Sequence, residues 1–302
     1  EDVLPTDVVA MDVELQELYM GTRNFGYWQL NSRPLHNGVR VNFLNTDMKG
    51  LHITGPMDWT WQDGVHHTDI SGLELRATNV EEVQKAFRQQ AIVKGKEMDS
   101  QVNLGWAGSP LGFNTQTLNG NIAMRVKDGS VDLEGAAAMR AVGALNVNSI
   151  FRRLRLDFTD VVNSGMAFDT LKGKADIVDG VMTLTEPVTL EGPGGKLLIA
   201  GMTDLNTGEL DMKLAVTFPI TGTLPLVAVL AGFAPPVAAS IYVTERLVGD
   251  ELERFTSASY SIKGTVSQPD VQLNKAFDNS VEGKTSRSFL DRFLSIFGLK
   301  ND

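Results

Sequence analysis

The chain has 302 residues, 42% of them hydrophobic and 21% charged, which is enough apolar material for a real core and excludes wholesale disorder. Its 37 acids against 27 bases give a formal net charge of −10, which argues against a nucleic-acid partner, since phosphates reward a basic face. It has no cysteine, so disulfides, thiolate metal sites and a Cys nucleophile are all excluded.

The numbering opens inside a patterned segment with no Met, basic stretch or apolar leader, as expected after removal of a signal or for a piece of a longer protein. Met11, Val13 and Leu15 then alternate with Asp12, Glu14 and Gln16, the period of a strand with one apolar face. After a turn near Asn24-Phe25-Gly26, Tyr27–Asn31 continues the pattern, and His36-Asn37-Gly38 reads as a hairpin turn. Val39, Val41 and Phe43 alternate next, and further strands are expected at Met57–Gln62 and Val65–Leu75 across Asp63-Gly64.

Asn79 is a good N-cap with Glu82 three residues on, so a short amphipathic helix is expected through about Gln89, with Val80, Val83 and Phe87 on one face. Strands resume at Gln101–Trp106. Ile122, Met124 and Val126 then form one arm of an expected hairpin, with Val131 and Leu133 on the other arm across Asp128-Gly129. A second helix is expected over Ala136–Leu145, followed by a turn or further helix at Ile150–Leu154.

From Phe158 to Phe218 strand follows strand, with turns at Asp179-Gly180, Gly192-Pro193-Gly194-Gly195 and Asn206-Thr207-Gly208. The cleanest alternation is Leu210, Met212, Leu214, Val216 and Phe218. Glu245–Arg254 reads as a charged helix end, and a final strand near Tyr260–Val266 precedes a polar tail. So many one-sided strands with so little helix must close into a barrel, pack as a sandwich or curve into a trough. At 7% aromatic residues, without girdles of Trp and Tyr, an outer-membrane barrel is the weakest of these.

Leu224–Val243 runs twenty residues without a charge, long enough to cross a bilayer. Pro235-Pro236 interrupts it, however, with Gly232 just before, so it reads as a Pro-broken helical hairpin, buried or plugging a groove, in preference to a membrane span. Leu224, Leu226, Val229, Leu230, Phe233 and Val237 are its candidate plug or membrane-contact residues. In the tail, Phe289, Leu290, Phe293, Leu294 and Phe297 share one helical face opposite Arg287, Asp291, Arg292 and Ser295, which suits docking on the protein or lying at a membrane interface.

Chemistry is sparse. His36, His52, His66 and His67 are too scattered for a metal site, and adjacent His66 and His67 point to opposite faces of a strand. The Gly192–Lys196 loop lacks phosphate-loop spacing and leads into a strand. Asp157 and Asp160 beside Arg152, Arg153 and Arg155 read as a solvated ion-pair cluster. No nucleophile elbow or HExxH motif occurs, so neither an enzyme nor a cofactor is expected.

The segments FRRLRLDFTDVVNSGMAFDTLKGKADIVDG (Phe151–Gly180), LEGPGGKLLIAGMTDL (Leu190–Leu205) and TLPLVAVLAG (Thr223–Gly232) resemble the C-terminal part of the YhdP family, a branch of the AsmA-like envelope proteins of Gram-negative bacteria. The likeness continues through Ser261–Gly264 and Gln268-Pro269-Asp270 and extends back, more faintly, through Trp59-Thr60-Trp61 and Leu104-Gly105-Trp106. It implies a periplasmic β-sheet curved into an open hydrophobic groove that carries phospholipid between inner and outer membranes. It also implies a longer chain anchored in the inner membrane, with the C-terminal end near the outer membrane.

The expected fold is therefore mainly β, a long antiparallel meander forming an open groove with a few short helices. It divides into a β-groove segment (1–134), a C-terminal region (135–270) containing the hairpin at 224–254, and a polar tail (271–302) with the amphipathic helix. Candidate groove-lining residues are Met11, Val13, Leu15, Val39, Val41 and Phe43, then Ile122, Met124 and Val126, and finally Leu210, Met212, Leu214, Val216 and Phe218. The competing expectation is a non-catalytic structural or scaffolding β module of the envelope.

Overall fold

Alternating side chains and tight two-residue turns build a meander. The computed structural model describes residues 3–86, 93–131, 166–193, 195–220, 254–266 and 268–276. Its first strands are β1 (Met11–Leu15), β2 (Tyr19–Met20), β3 (Arg23–Asn24), β4 (Trp28–Leu35), β5 (Gly38–Met48), β6 (Leu51–Gln62) and β7 (Val65–Ala77). Helix α1 (Val80–Ala86) separates these from β8 (Val93–Ala107), β9 (Asn119–Val131), β10 (Met166–Val178), β11 (Val181–Gly192), β12 (Gly195–Asp204) and β13 (Leu210–Ile220). Two more strands follow, β14 (Arg254–Gly264) and β15 (Pro269–Ala276).

Thirteen of these strands form one antiparallel sheet in chain order, from β1 and β4 at one edge to β15 at the other, while β2 and β3 pair separately. The two edge strands do not pair, so the sheet is open and curved. Type I′-like turns explain the order: Asp63-Gly64 and Asp179-Gly180 both have positive φ at each central residue, a geometry whose twist suits a two-residue hairpin. Register irregularities fall at Phe43/Thr46 in β5, Thr54/Met57 in β6 and Ile70/Leu73 in β7, and again at Lys172–Ala175 in β10 and Thr183/Val188 in β11. Bulges in neighbouring strands let each strand bend part-way along its length, so the trough axis runs across the strands. At about 4.8 Å per strand, thirteen strands make it roughly 60 Å long.

Connections alternate between two rims. One rim carries only the connections β4–β5, β6–β7, β8–β9, β10–β11, β12–β13 and β14–β15. From the other leave α1 and the long sequence segments joining β9 to β10 and β13 to β14. We call them the short-turn rim and the insertion rim.

Asn79 caps α1 as expected, its Oδ1 accepting from the Glu82 N–H at 3.1 Å. Three expectations are corrected. Asp128-Gly129 is not a hairpin turn, because β9 runs through it, Gly129 opposite Gly95 and Phe168. Asp128 takes a positive φ of 48° inside the strand, and a Cβ on Gly129 would collide with the Lys94 carbonyl oxygen and the Phe168 ring. A turn signature has been used for a close approach between strands.

Arg254, the last residue of the expected helix end at Glu245–Arg254, begins a strand and pairs with Ile220, while Glu245–Glu253 lies outside the described residues. Nor is the strand at Tyr260–Val266 the last. Pro269–Ala276 pairs along β14, with Pro269 at its first position, where a missing N–H costs no ladder bond. The expected helices at Ala136–Leu145 and Ile150–Leu154, the Arg152–Asp160 cluster, the apolar run Leu224–Val243 and the tail helix around Phe289–Phe297 lie outside the described residues.

Candidate functional site

Register places the expected lining residues on one side of the sheet. Val126 stands between Met98 and Leu171, a row that continues through Leu190 to Leu197. The adjacent rows are Ser100, Met124 and Gly173, then Val102, Ile122 and Ala175. Toward the C-terminal edge, Leu214 lies between Ile199 and Tyr260, and Met212 between Gly201 and Ile262. Val216 and Phe218 hold the next alternate positions of β13, opposite Ala258 and Thr256 of β14.

At the other edge Met11 pairs with Ser32, Val13 with Leu30 and Leu15 with Trp28. The rows go on through Val41 to Met57, Phe43 to Gly55 and Val39 to Trp59. The face is therefore continuous from β1 to β14.

Sequence reading missed about half of it. The alternation Met98, Ser100, Val102, Leu104, Trp106 is legible, yet the expected strand at Gln101–Trp106 covers only its second half. Around Phe43/Thr46 and Ile70/Leu73 each bulge shifts the inward parity, so a strict period of two loses the strand there.

Coverage of the face is uneven. Val80 of α1, toward the insertion rim, belongs to a buried cluster that takes in Val126, Met166, Phe168, Leu171, Leu190 and Leu197 and reaches Leu214 in the C-terminal strands, and Val126 and Leu214 are only 1% exposed. Toward the short-turn rim, Trp106, Leu118 and Ile177 form a second packed zone. Between them Met124 remains 39% exposed, because its row neighbours Ser100 and Gly173 are too small to wall it in. Gly173 has to stay small: a Cβ there would lie 2.9 Å from a Val188 methyl.

Four hydroxyls on this face are turned onto the backbone, while that of Thr46, fully buried, has no partner among the described residues. Ser32 donates to the Val9 carbonyl at 2.7 Å, Thr68 to Gly108 at 2.8 Å, Ser100 to Ala123 at 2.9 Å and Thr203 to Glu209 at 2.9 Å. With their donors used, these side chains present carbon to the trough. On the opposite face, charges alternate and pair: Arg40 grips Asp58 with two bonds of 2.6 Å, and Lys127 reaches Glu97 at 3.0 Å. Such exposed pairs contribute little stability but keep their part of that side in water, whereas Leu198 and Ala200 form a small buried cluster with Ala215 on the same side.

Burial pushes the Tyr260 phenol above its ordinary value. A raised pKa in the folded state leaves stability complete below the unfolded value of about 10 and removes it as pH rises beyond. Urea midpoints should thus fall from about pH 10 upward, and Tyr260→Phe should flatten that decline.

His66 lies on the apolar face, its Nδ1 accepting from Trp59 Nε1 at 3.2 Å, while His67 lies on the other. Gly192 and Gly195 flank the hairpin turn, where Lys196 pairs with Glu191. Among the described residues, no three His, Asp or Glu side chains gather as metal ligands, and no helix is long and apolar enough to cross a membrane.

What the geometry defines is an open β-trough protein, with one continuous apolar face that is buried over much of its extent and exposed at Met124. The chain belongs to the YhdP protein family, whose model matches residues 1–271. It is similar to the intermembrane phospholipid transporter YhdP of Escherichia coli (strain K12), with 26% identity over 222 residues, 72% of this chain. Those residues span 17% of that relative's length. No solved structure matches the chain.

Proposed function

We propose that this chain is a segment of a periplasmic lipid carrier in which phospholipid acyl chains travel along the trough between inner and outer membranes. The observation that carries the reading is the unbroken apolar face of a single open sheet, with Met124 exposed midway along it. Membership of a family with a phospholipid transporter among its relatives supplies the cargo.

The energetics suit transport. Each chain methylene exposed to water costs roughly 0.8 kcal/mol, so two acyl chains crossing an aqueous gap would meet a barrier on the order of 20 kcal/mol. A carbon-lined trough replaces that water, and the lipid stays in apolar surroundings throughout. Met11, Met124 and Met212 give the lining unbranched, adaptable side chains. No nucleotide or metal is required for sliding, and no catalytic step is assigned. In the full-length protein the trough would be one stretch of a bridge anchored in the inner membrane, with the residues beyond β13 and β15 toward the outer membrane.

Native mass spectrometry of the protein purified from membranes should find phospholipid bound, and a photo-crosslinker at Met212 should label acyl chains. A lipid-free protein that cannot be loaded from vesicles would overturn the carrier reading in favour of a scaffolding module.

A further inference from the structure

The two rims of the trough differ in chemistry. On the inner face at the short-turn rim, Trp59, Trp61, His66 and Trp106 come together with Phe113 of the β8–β9 connection. The Trp61 and His66 rings meet edge-on with centroids 4.5 Å apart, Trp59 and His66 lie 5.5 Å apart, and Trp106 meets Phe113 at 5.3 Å. The fourth tryptophan, Trp28, stands apart, at the insertion-rim end of β4, against Phe43.

Indole rings favour the level where an apolar phase meets water, since each has a large carbon face and one N–H. Trp106 Nε1 is already used, donating to the Ser109 carbonyl at 3.1 Å. Trp61 Nε1 has no partner among the described residues. With Nδ1 of His66 accepting from Trp59, the ring proton sits on Nε2, a second donor at this rim.

The rim is also anionic. Its six connections contain Asp63, Asp179 and Glu209 but no Lys or Arg, and Asp204 ends β12 at the same rim. Asp204 accepts from the N–H groups of Asn206 and Thr207 at 2.7 and 3.2 Å, and those backbone bonds, Asn206 first, hold its carboxyl below the usual range and keep it charged. Because these connections are short, apart from that between β8 and β9, little chain separates the strand ends from water along this rim.

We infer that the aromatic band of Trp59, Trp61, His66 and Phe113, backed by the buried Trp106, holds the glycerol-ester level of a bound zwitterionic phospholipid. Its headgroup rides along the short-turn rim, and its chains lie across the trough toward the insertion rim. Trp61 and His66 donate to phosphate or ester oxygens, and the rim carboxylates face the ammonium. A headgroup of net negative charge lacks that second interaction and meets carboxylates instead. This assignment rests on the carrier reading above and gives it an orientation and a headgroup class.

Tryptophan quenching by brominated phospholipids tests it on the full chain. In Trp28→Phe only the rim indoles report, and bromines near the glycerol end of the chains should quench at least about twofold more than bromines near the methyl end. In the combined Trp59→Phe, Trp61→Phe, Trp106→Phe variant, Trp28 alone reports and the order should reverse. Equal or opposite quenching in Trp28→Phe, with lipid shown bound by native mass spectrometry, overturns the orientation but not the carrier. That variant decides the matter alone if the triple variant fails to fold.

Loading from mixed vesicles at low salt should favour zwitterionic over anionic phospholipid by about threefold or more, narrowing as salt screens the carboxylates. Equal loading at low salt overturns the headgroup assignment. Absence of bound lipid of any kind overturns the carrier reading itself.

Discussion

Met124→Glu should leave the protein folded and cost it about tenfold or more of its bound phospholipid. The side chain is 39% exposed on the trough floor, so a carboxylate there can keep water around it and the sheet does not have to bury a charge. Its row neighbours Ser100 and Gly173 leave room for the change without a clash. In the proposed carrier, by contrast, an acyl chain passes over position 124 and would have to strip that carboxylate of water or detour around it. Far-UV circular dichroism and urea midpoints should match the parent within about 1 kcal/mol, as for other exposed sites, while lipid recovered by mass spectrometry falls. A closed β module without cargo predicts the reverse: no lipid to lose, and a large drop in stability. Met124→Leu, which restores carbon, should recover lipid binding.

How legible was such a floor from the sequence? The alternation of Ile122, Met124 and Val126 and of Leu210, Met212 and Leu214 is strong, because in these stretches both neighbouring strands keep register and the period of two survives. It fails where the trough bends. Across Phe43/Thr46 the inward set passes from odd to even numbers, so Thr46 and Met48 look outward in a strict pattern although they share a face with Ile53 and Leu51.

Glycines mislead for a related reason. Asp63-Gly64 and Asp179-Gly180 make hairpins, yet the same dipeptide at Asp128-Gly129 lies inside β9, because what demands glycine there is contact with Lys94 and Phe168, residues far away in sequence. The aromatic band is another long-range product. Trp59, Trp61 and Trp106 are scattered in sequence and meet only because β6 and β8 flank β7 in register, with Thr68 between Trp59 and Trp106. Openness was the least legible property. Periodicity shows that a face is apolar but not whether another sheet covers it, and only the family resemblance favours the trough from sequence.

The same face behaves differently toward the C-terminal strands, where Leu214→Asp should abolish folding. Leu214 is 1% exposed, wedged between Ile199 and Tyr260 and packed into the cluster that holds Leu171, Leu190 and Leu197. Removing the leucine side chain from such a site costs about 2–5 kcal/mol, and burying an unpaired carboxylate adds several more. That sum approaches the whole stability of an ordinary domain, about 5–15 kcal/mol. Soluble yield should collapse, with protease resistance of β12–β14 lost. Leu214→Ala, which creates the cavity without the charge, should instead fold with a urea midpoint lowered by the equivalent of about 2–4 kcal/mol and with lipid loading retained. If Leu214→Asp folds normally, the cluster is not the girder of the trough, and the contrast with Met124 disappears. If it unfolds while Met124→Glu does not, one apolar face serves two ends: a sealed stretch around Leu214 in the C-terminal strands holds the sheet in its curve, and an open floor at Met124 stays free for cargo.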